Sequence, residues 1–350
     1  MHSITVMISM FHDFQPTSAG AMALEADLPI RKSCRAARSG TATLSSGVRE
    51  TRGVGEVLGL LSTAARAIFK QQKMSAAVAF WTKTLRDPMA MADWIAFILK
   101  HYDHHQSQTP NARLLRKPQR NYGVTGRNVR RRVEALIAHY QFASEHFSPR
   151  MHRTLLGPAP IAIGRLEARE CAFDLWLGSS MPFGQKQEGE LTAWLATADG
   201  VSLARMAFSF GRDDAGAATL LIGGLQGLAA GSDKKIIVKA TRALSGLRPK
   251  DAVLVGVQAI AEAFGINTVQ AVSNASHVLA AEWFMSDSVI SRDYDGFWKE
   301  RGGHPLAGIG FALPVPDYAG RVRATATPRV LDRHRADLGR KVGFALTGAA

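Results

Sequence analysis

Past residue 53 the chain reads first in helical and then in strand periods. Val57, Leu61, Ala64, Ala65 and Ile68, joined by Leu58, Leu60 and Phe69, recur at helical spacing and predict a helix over 55–70. Apolar helices follow over 76–85, with Trp81, and from Met89, with Trp94, Phe97 and Ile98. Val129, Val133, Leu136, Ile137, Tyr140 and Phe147 form one further stripe, with Thr125 as the expected cap and Ser148-Pro149 as the stop. After Pro158 and Pro160 the period changes, and residues 161–163, 172–177, 190–195 and 201–210 read as strands. Asp199-Gly200 marks a hairpin between the last two.

The stretch 218–274 organises the rest. A strand over 218–222 runs into a glycine turn, Gly223-Gly224-Leu225-Gln226-Gly227. A crossover in two helices follows, over 234–244 and from Pro249 to Gly265, broken at Gly246. A second strand, 268–272, ends in Ser273-Asn274-Ala275-Ser276-His277. Strand, helical crossover and strand make a βαβ unit, which is parallel and right-handed. The fold class expected is therefore α/β in the mixed sense. N-terminal helices precede an antiparallel meander, which joins a βαβ unit in one mixed sheet. Ligands on such units bind beyond the carboxyl ends of the strands, so the glycine turn and the Asn274–His277 corner are expected side by side at one rim.

Four regions are expected: a disordered extension over 1–53, a helical region over 54–157, the mixed-sheet core over 158–318, and a basic tail over 319–350 read as a solvated arm. Two cysteines, Cys34 and Cys171, are too few for a disulfide framework or a zinc cluster. No apolar run approaches the roughly 20 residues that span a bilayer. The start lacks the basic region of a secretory signal, so the expected location is cytoplasmic, with peripheral contact at the inner membrane as its extension.

Charge changes the picture. The net charge is +14, and residues 1–150 hold 21 Lys+Arg against 10 Asp+Glu, so the front half is the cationic part. Its densest run is 113–132, with Arg113, Arg116, Lys117, Arg120, Arg127, Arg130, Arg131 and Arg132 and no acid. An anionic membrane surface is the candidate partner there. Nucleic acid is disfavoured, because Tyr122 is the only aromatic in the run and no helix-turn-helix or zinc-finger spacing is present.

The candidate chemistry is sparse. No Gly-x-Ser-x-Gly, Gly-x-x-x-x-Gly-Lys-Ser/Thr or Gly-x-Gly-x-x-Gly motif occurs. His101, Asp103, His104 and His105 lie close together but read as a solvated helix end, and no metal is expected. Glu188 and Glu190, two apart, would share a strand face and are candidate acid/base groups. Asn274 and His277 are the candidate polar groups at the strand end, with turn capping as the alternative. Gly223, Gly224, Gln226, Gly227 and Arg248 are the candidate cofactor contacts, where backbone amides and a cation would meet a phosphate.

Several segments also resemble a known family. Ile222 to Gly227, Ala243 to Lys250, Ala271 to Val278, and Tyr294-Asp295-Gly296-Phe297-Trp298 with Gly302-Gly303 are similar to the VirK/YbjX proteins of bacteria, over about residues 130–315. The resemblance implies a Gram-negative protein linked to envelope integrity, virulence and tolerance of cationic antimicrobial peptides, with no defined reaction and no catalytic residues to carry over. A binding or accessory role is its default. The order of strands is also that of a GCN5-type N-acetyltransferase, which makes an acyl-CoA-dependent transferase the alternative, with acyl-CoA as candidate cofactor at residues 223–227. The Gln/Arg-x-x-Gly-x-Gly/Ala pattern of that fold matches poorly here. A basic nucleic-acid-binding protein is the third reading.

Overall fold

A computed structural model describes residues 52–102, 111–148, 151–152, 159–168, 171–213, 215–229, 231–280, 293–318 and 330–347. The expected disorder of 1–53 falls almost wholly outside them, as do His104 and His105. The helical period is realised in α1 (Val54–Gln71), α2 (Met74–Thr84) and α3 (Pro88–Tyr102). Leu61, Ile68, Phe80, Met91, Trp94 and Ile95 meet there in a helical core. The short helix α4 (Ala112–Leu115) is capped by Asn111, and its Leu114 carbonyl accepts from the Trp94 indole at 3.1 Å.

Helix α5 (Val129–His146) starts at Asn128, whose side chain accepts from the Arg131 N–H at 2.9 Å. Asn128, not Thr125, is the cap. The stripe on α5 serves two cores. Val129, Val133 and Leu136 enter the helical one, while Phe142 and Ala143 enter that of the sheet.

Among the described residues the sheet has eight strands, which follow chain order across it except that the eighth lies between the sixth and the seventh. Strands β1 (Ile161–Glu167), β2 (Ala172–Ser179), β3 (Leu191–Thr197), β4 (Ser202–Arg212) and β5 (Ala218–Gln226) form an antiparallel meander. The crossover holds α6 (Lys235–Ala243) and α7 (Pro249–Ala263), and brings β6 (Thr268–Val272) parallel to β5. Then come α8 (Tyr294–Lys299), β7 (His304–Leu306), β8 (Gly310–Leu313) and α9 (Val330–Thr347). The fold is thus the mixed α/β sheet that the periods predict, an antiparallel meander running into a βαβ unit.

Two features differ from the sequence reading. The segment 223–227 is not a turn, because β5 continues through Gly223 and Gly224 to Gln226. Nor are residues 330–347 of the tail a solvated arm, while 319–329 and 348–350 lie outside the described residues. Leu338 and Val342 of α9 are fully buried, Leu338 fills the space where a Cβ on Gly164 of β1 would stand, and Gly339 lets α9 close on Tyr318. Its arginines and Lys341 lie on the outward side, which is why composition alone read as solvated.

Candidate functional site

The parallel pairing of β5 with β6 ends at Ile222 opposite Ala271, although β5 runs on to Gln226. On its other edge Ala207 pairs with Gly224 and Phe208 with Ile222, leaving Gly223 as a bulge. A bulge turns two successive residues toward one side, and here that side is filled by Glu188. A Cβ on Gly223 would fall on the Glu188 carbonyl, and one on Gly224 on the Glu188 carboxylate. The glycines therefore admit a neighbouring carboxylate rather than bend the chain.

Glu188 ends a tight turn in which its N–H and that of Gly189 both donate to the Gln185 carbonyl. Its Oε2 accepts from Gln185 Nε2 at 2.5 Å, and its Oε1 accepts from Gln226 Nε2 at 3.4 Å. Gln226 Oε1 in turn accepts from Arg205 Nε at 3.0 Å and from the guanidinium's terminal nitrogen at 2.6 Å. Burial lowers the Arg205 pKa, against the pull of Glu188. His277 Nε2 stands 3.6 Å from Glu188 Oε1, with both side chains buried. Because His277 Nδ1 accepts from the Leu279 N–H at 3.1 Å, the neutral ring carries its proton on Nε2, the nitrogen beside the carboxylate.

Beyond the parting, the free edge of β5 is met by a phenol. The Tyr294 hydroxyl accepts from the Leu225 N–H at 3.1 Å and donates to its carbonyl at 3.2 Å. The Tyr294 ring lies 5.3 Å from that of His277. Asn274 sets this phenol in place, since its Oδ1 accepts from the Tyr294 N–H at 3.0 Å and its N–H donates to Asp295 at 2.8 Å. The glycine stretch and the Asn-His corner do stand at one rim, with Glu188 between them.

A family model described as "Protein of unknown function (DUF535)" matches residues 70–319. The chain belongs to the DUF535 family. The DUF535 match agrees with the VirK/YbjX resemblance read from the motifs. The uncharacterized protein YbjX of Escherichia coli (strain K12) is 26% identical over 237 residues, covering 67% of this chain and 71% of that one. Among solved structures, a cAMP-binding acyltransferase from Mycobacterium smegmatis, a point mutant, is 12% identical with a TM-score of 0.26. It covers 62% of this chain and 61% of its own.

In this DUF535 chain the remaining candidates go elsewhere. Glu190 does not share a face with Glu188, because Glu188 lies in a turn and not in an extended strand. The Glu190 carboxylate instead pairs with Lys117 and accepts from the Tyr140 hydroxyl at 2.7 Å. Burial pushes its pKa up, but Lys117, His139 and Tyr140 together hold it below the ordinary carboxylate value. Burial, partly opposed by Glu190, pulls the neighbouring His139 down to about 4. Its Nδ1 accepts from the Phe210 N–H at 3.2 Å. The Tyr122 hydroxyl, 2.7 Å from Ser209 Oγ, has its pKa raised by burial and by Glu190. Both glutamates are thus buried.

Arg248 is exposed ahead of α7 and touches none of the Glu188 network, while Gly227 lies 3.4 Å, measured from an added Cβ, from Lys250. Among the described residues no group of three His, Cys, Asp or Glu side chains is placed to hold a metal. No described helix is long and apolar enough to cross a membrane. Gln185, Arg205 and Tyr294 join the site only through the fold. Tyr294 lies in a segment that carries the family resemblance, which is its signal in the sequence; Gln185 and Arg205 have none.

Proposed function

We propose that this protein is an acyl-CoA-dependent N-acyltransferase, serving the envelope protection that the VirK/YbjX resemblance implies. What carries the reading is the parted rim. Strand β5 outruns β6, and the Leu225 N–H and C=O that would face a strand meet a phenol hydroxyl instead. That edge suits the amide-bearing arm of an acyl-CoA, which would bond Leu225 in place of Tyr294. Lys250, beside Gly227, is the cation placed for its phosphates. Gly223 and Gly224 are closed to phosphate on the Glu188 side.

The thioester supplies the acyl group. The residues of this chain handle protons. Glu188, linked to His277, is the group to take a proton from an attacking amine, and Tyr294 is the group to return one to the departing sulfur. Gln226 and Arg205, half-buried, are the outward end of the network. Thermal shift with acetyl-CoA and longer acyl-CoAs tests this. A specific site at 100 times its Kd stabilises the fold by about 2.7 kcal/mol. No response at millimolar acyl-CoA removes the transferase reading.

An accessory role at an anionic membrane is the second reading, favoured by α6. Lys235, Val238, Lys239 and Arg242 are exposed along one side of that helix, while Ile236, Ile237 and Ala240 pack inward. The run 113–132 is less suited to a flat bilayer, since Lys117 and Arg130 pair with Glu190 and Asp87 and Arg132 is buried. Flotation with anionic and with neutral vesicles tests it, and equal partitioning counts against it.

A further inference from the structure

Four cations that no acid among the described residues pairs with come together at the turn that carries Glu188. Arg113, Arg116 and Arg120 come from α4 and the 3-10 turn behind it, Lys117–Gln119. Lys186 comes from the turn itself. The two segments are stitched together, because the Gly123 N–H donates to the Gln187 carbonyl at 2.8 Å and Gln187 Nε2 to the Asn121 carbonyl at 3.3 Å. Lys117 lies among these cations and is paired with Glu190. Among the described residues no acid pairs with the other four. Arg116 spends one terminal nitrogen on Gln72 Oε1 at 3.0 Å, while its Nε is buried with no hydrogen-bond partner.

Like charges held together without a counter-ion oppose folding, and a guanidinium nitrogen buried without an acceptor adds to the cost. Their mutual effect is direct. Burial first, then Arg120, Arg113 and Lys117, lowers the Lys186 pKa, and burial with Arg120 lowers that of Arg116. Guanidinium groups match the oxygens of a phosphate in fork geometry, and a lysine adds a point charge.

We propose that Arg113, Arg116, Arg120 and Lys186 form a binding site for a phosphomonoester, seated against the turn that positions Glu188. The site does not depend on the transferase reading. The ligand is either a soluble phosphate compound or a lipid with a phosphomonoester head, and the test separates them. The full-length protein is melted in phosphate and in chloride at equal ionic strength, alongside the double variant Arg120→Ala/Lys186→Ala. Phosphate is expected to raise the wild-type Tm above its chloride value, and the double variant to lose most of that shift. In chloride the double variant should melt no lower than wild type, because repulsion is relieved.

Should the double variant fail to fold, the exposed single variant Arg113→Ala takes its place, with calorimetric phosphate affinity expected to fall at least tenfold. Vesicles with phosphatidic acid, a monoester, are compared with phosphatidylglycerol, a diester. Variant-sensitive preference for the former assigns a lipid head group; phosphate binding without that preference assigns a soluble ligand. No phosphate shift over chloride, or an equal shift in wild type and variant, overturns the site. A phosphate shift in a protein that ignores acyl-CoA removes the transferase and leaves this site standing.

Discussion

Glu188 Oε1 and His277 Nε2 lie 3.6 Å apart, with the Glu188 side chain 4% exposed and that of His277 0%. One comes from a turn before β3, the other from the corner after β6. They meet because β5 outruns β6 and because Gly223 and Gly224 carry no side chain where the carboxylate stands. A buried carboxylate is tolerated only when its lone pairs are met. The amides of Gln185 and Gln226 meet them here, and the His277 ring stands beside the carboxylate.

Replacing Glu188 by Ala should therefore cost more than its lost packing. The amides of Gln185 and Gln226 would lose their acceptor inside the fold, and the His277 ring would lose the carboxylate beside it. Each such loss costs about 1–3 kcal/mol, so a total near 3 kcal/mol is expected. Urea unfolding measures it. A loss below about 1 kcal/mol would show that the carboxylate is not the centre of the network.

The three glycines of the former "turn" should behave differently from one another. Gly223→Ala and Gly224→Ala push a methyl into Glu188, and should destabilise by about 3 kcal/mol or more. Gly227→Ala meets only the Lys250 stem at 3.4 Å and should change stability by under about 1 kcal/mol. Equal effects at all three positions would contradict the close approach of Glu188.

His139 gives an acid sensitivity whose sign can be worked out. Its folded pKa is lowered to about 4, so the unfolded chain binds its proton first as pH falls. Stability is then lost between about pH 6.5 and 4, by about 3 kcal/mol in all. Glu190 does not interfere above about pH 4.5. Its folded pKa is also lowered, so its contribution is present above the ordinary carboxylate pKa and goes only as pH falls through the lower folded value. His139→Gln, which keeps an acceptor for the Phe210 N–H, should flatten the profile. An unchanged slope in urea titrations at pH 7, 5.5 and 4.5 would assign the sensitivity elsewhere.

Helix α9 should prove part of the core. Leu338→Ala removes a fully buried side chain wedged over Gly164 and should cost about 2–5 kcal/mol. A variant melting with wild type would return this helix to the role of a surface arm.

Much of the fold was legible along the chain. The helical stripes of α1, α3 and α5, the alternation that becomes β1 to β4, and the two-part crossover all follow from local period and from Gly and Pro placement. The shared rim of the glycine stretch and His277 was legible too, because a parallel βαβ unit brings both strand ends to one side. What the chain does not announce is what lies against a glycine. Gly-Gly reads as a turn in one dimension, and only the seating of Glu188 makes it a strand with an absent side chain. The same holds for charge. Lys117 and Arg130 look like surface cations until Glu190 and Asp87 arrive from distant segments, and the arginines of α9 hide the leucine and valine that anchor it. Local sequence sets period, turns and caps because those depend on neighbours in the chain. Burial and ion pairing depend on neighbours in space, and the tertiary fold alone chose them.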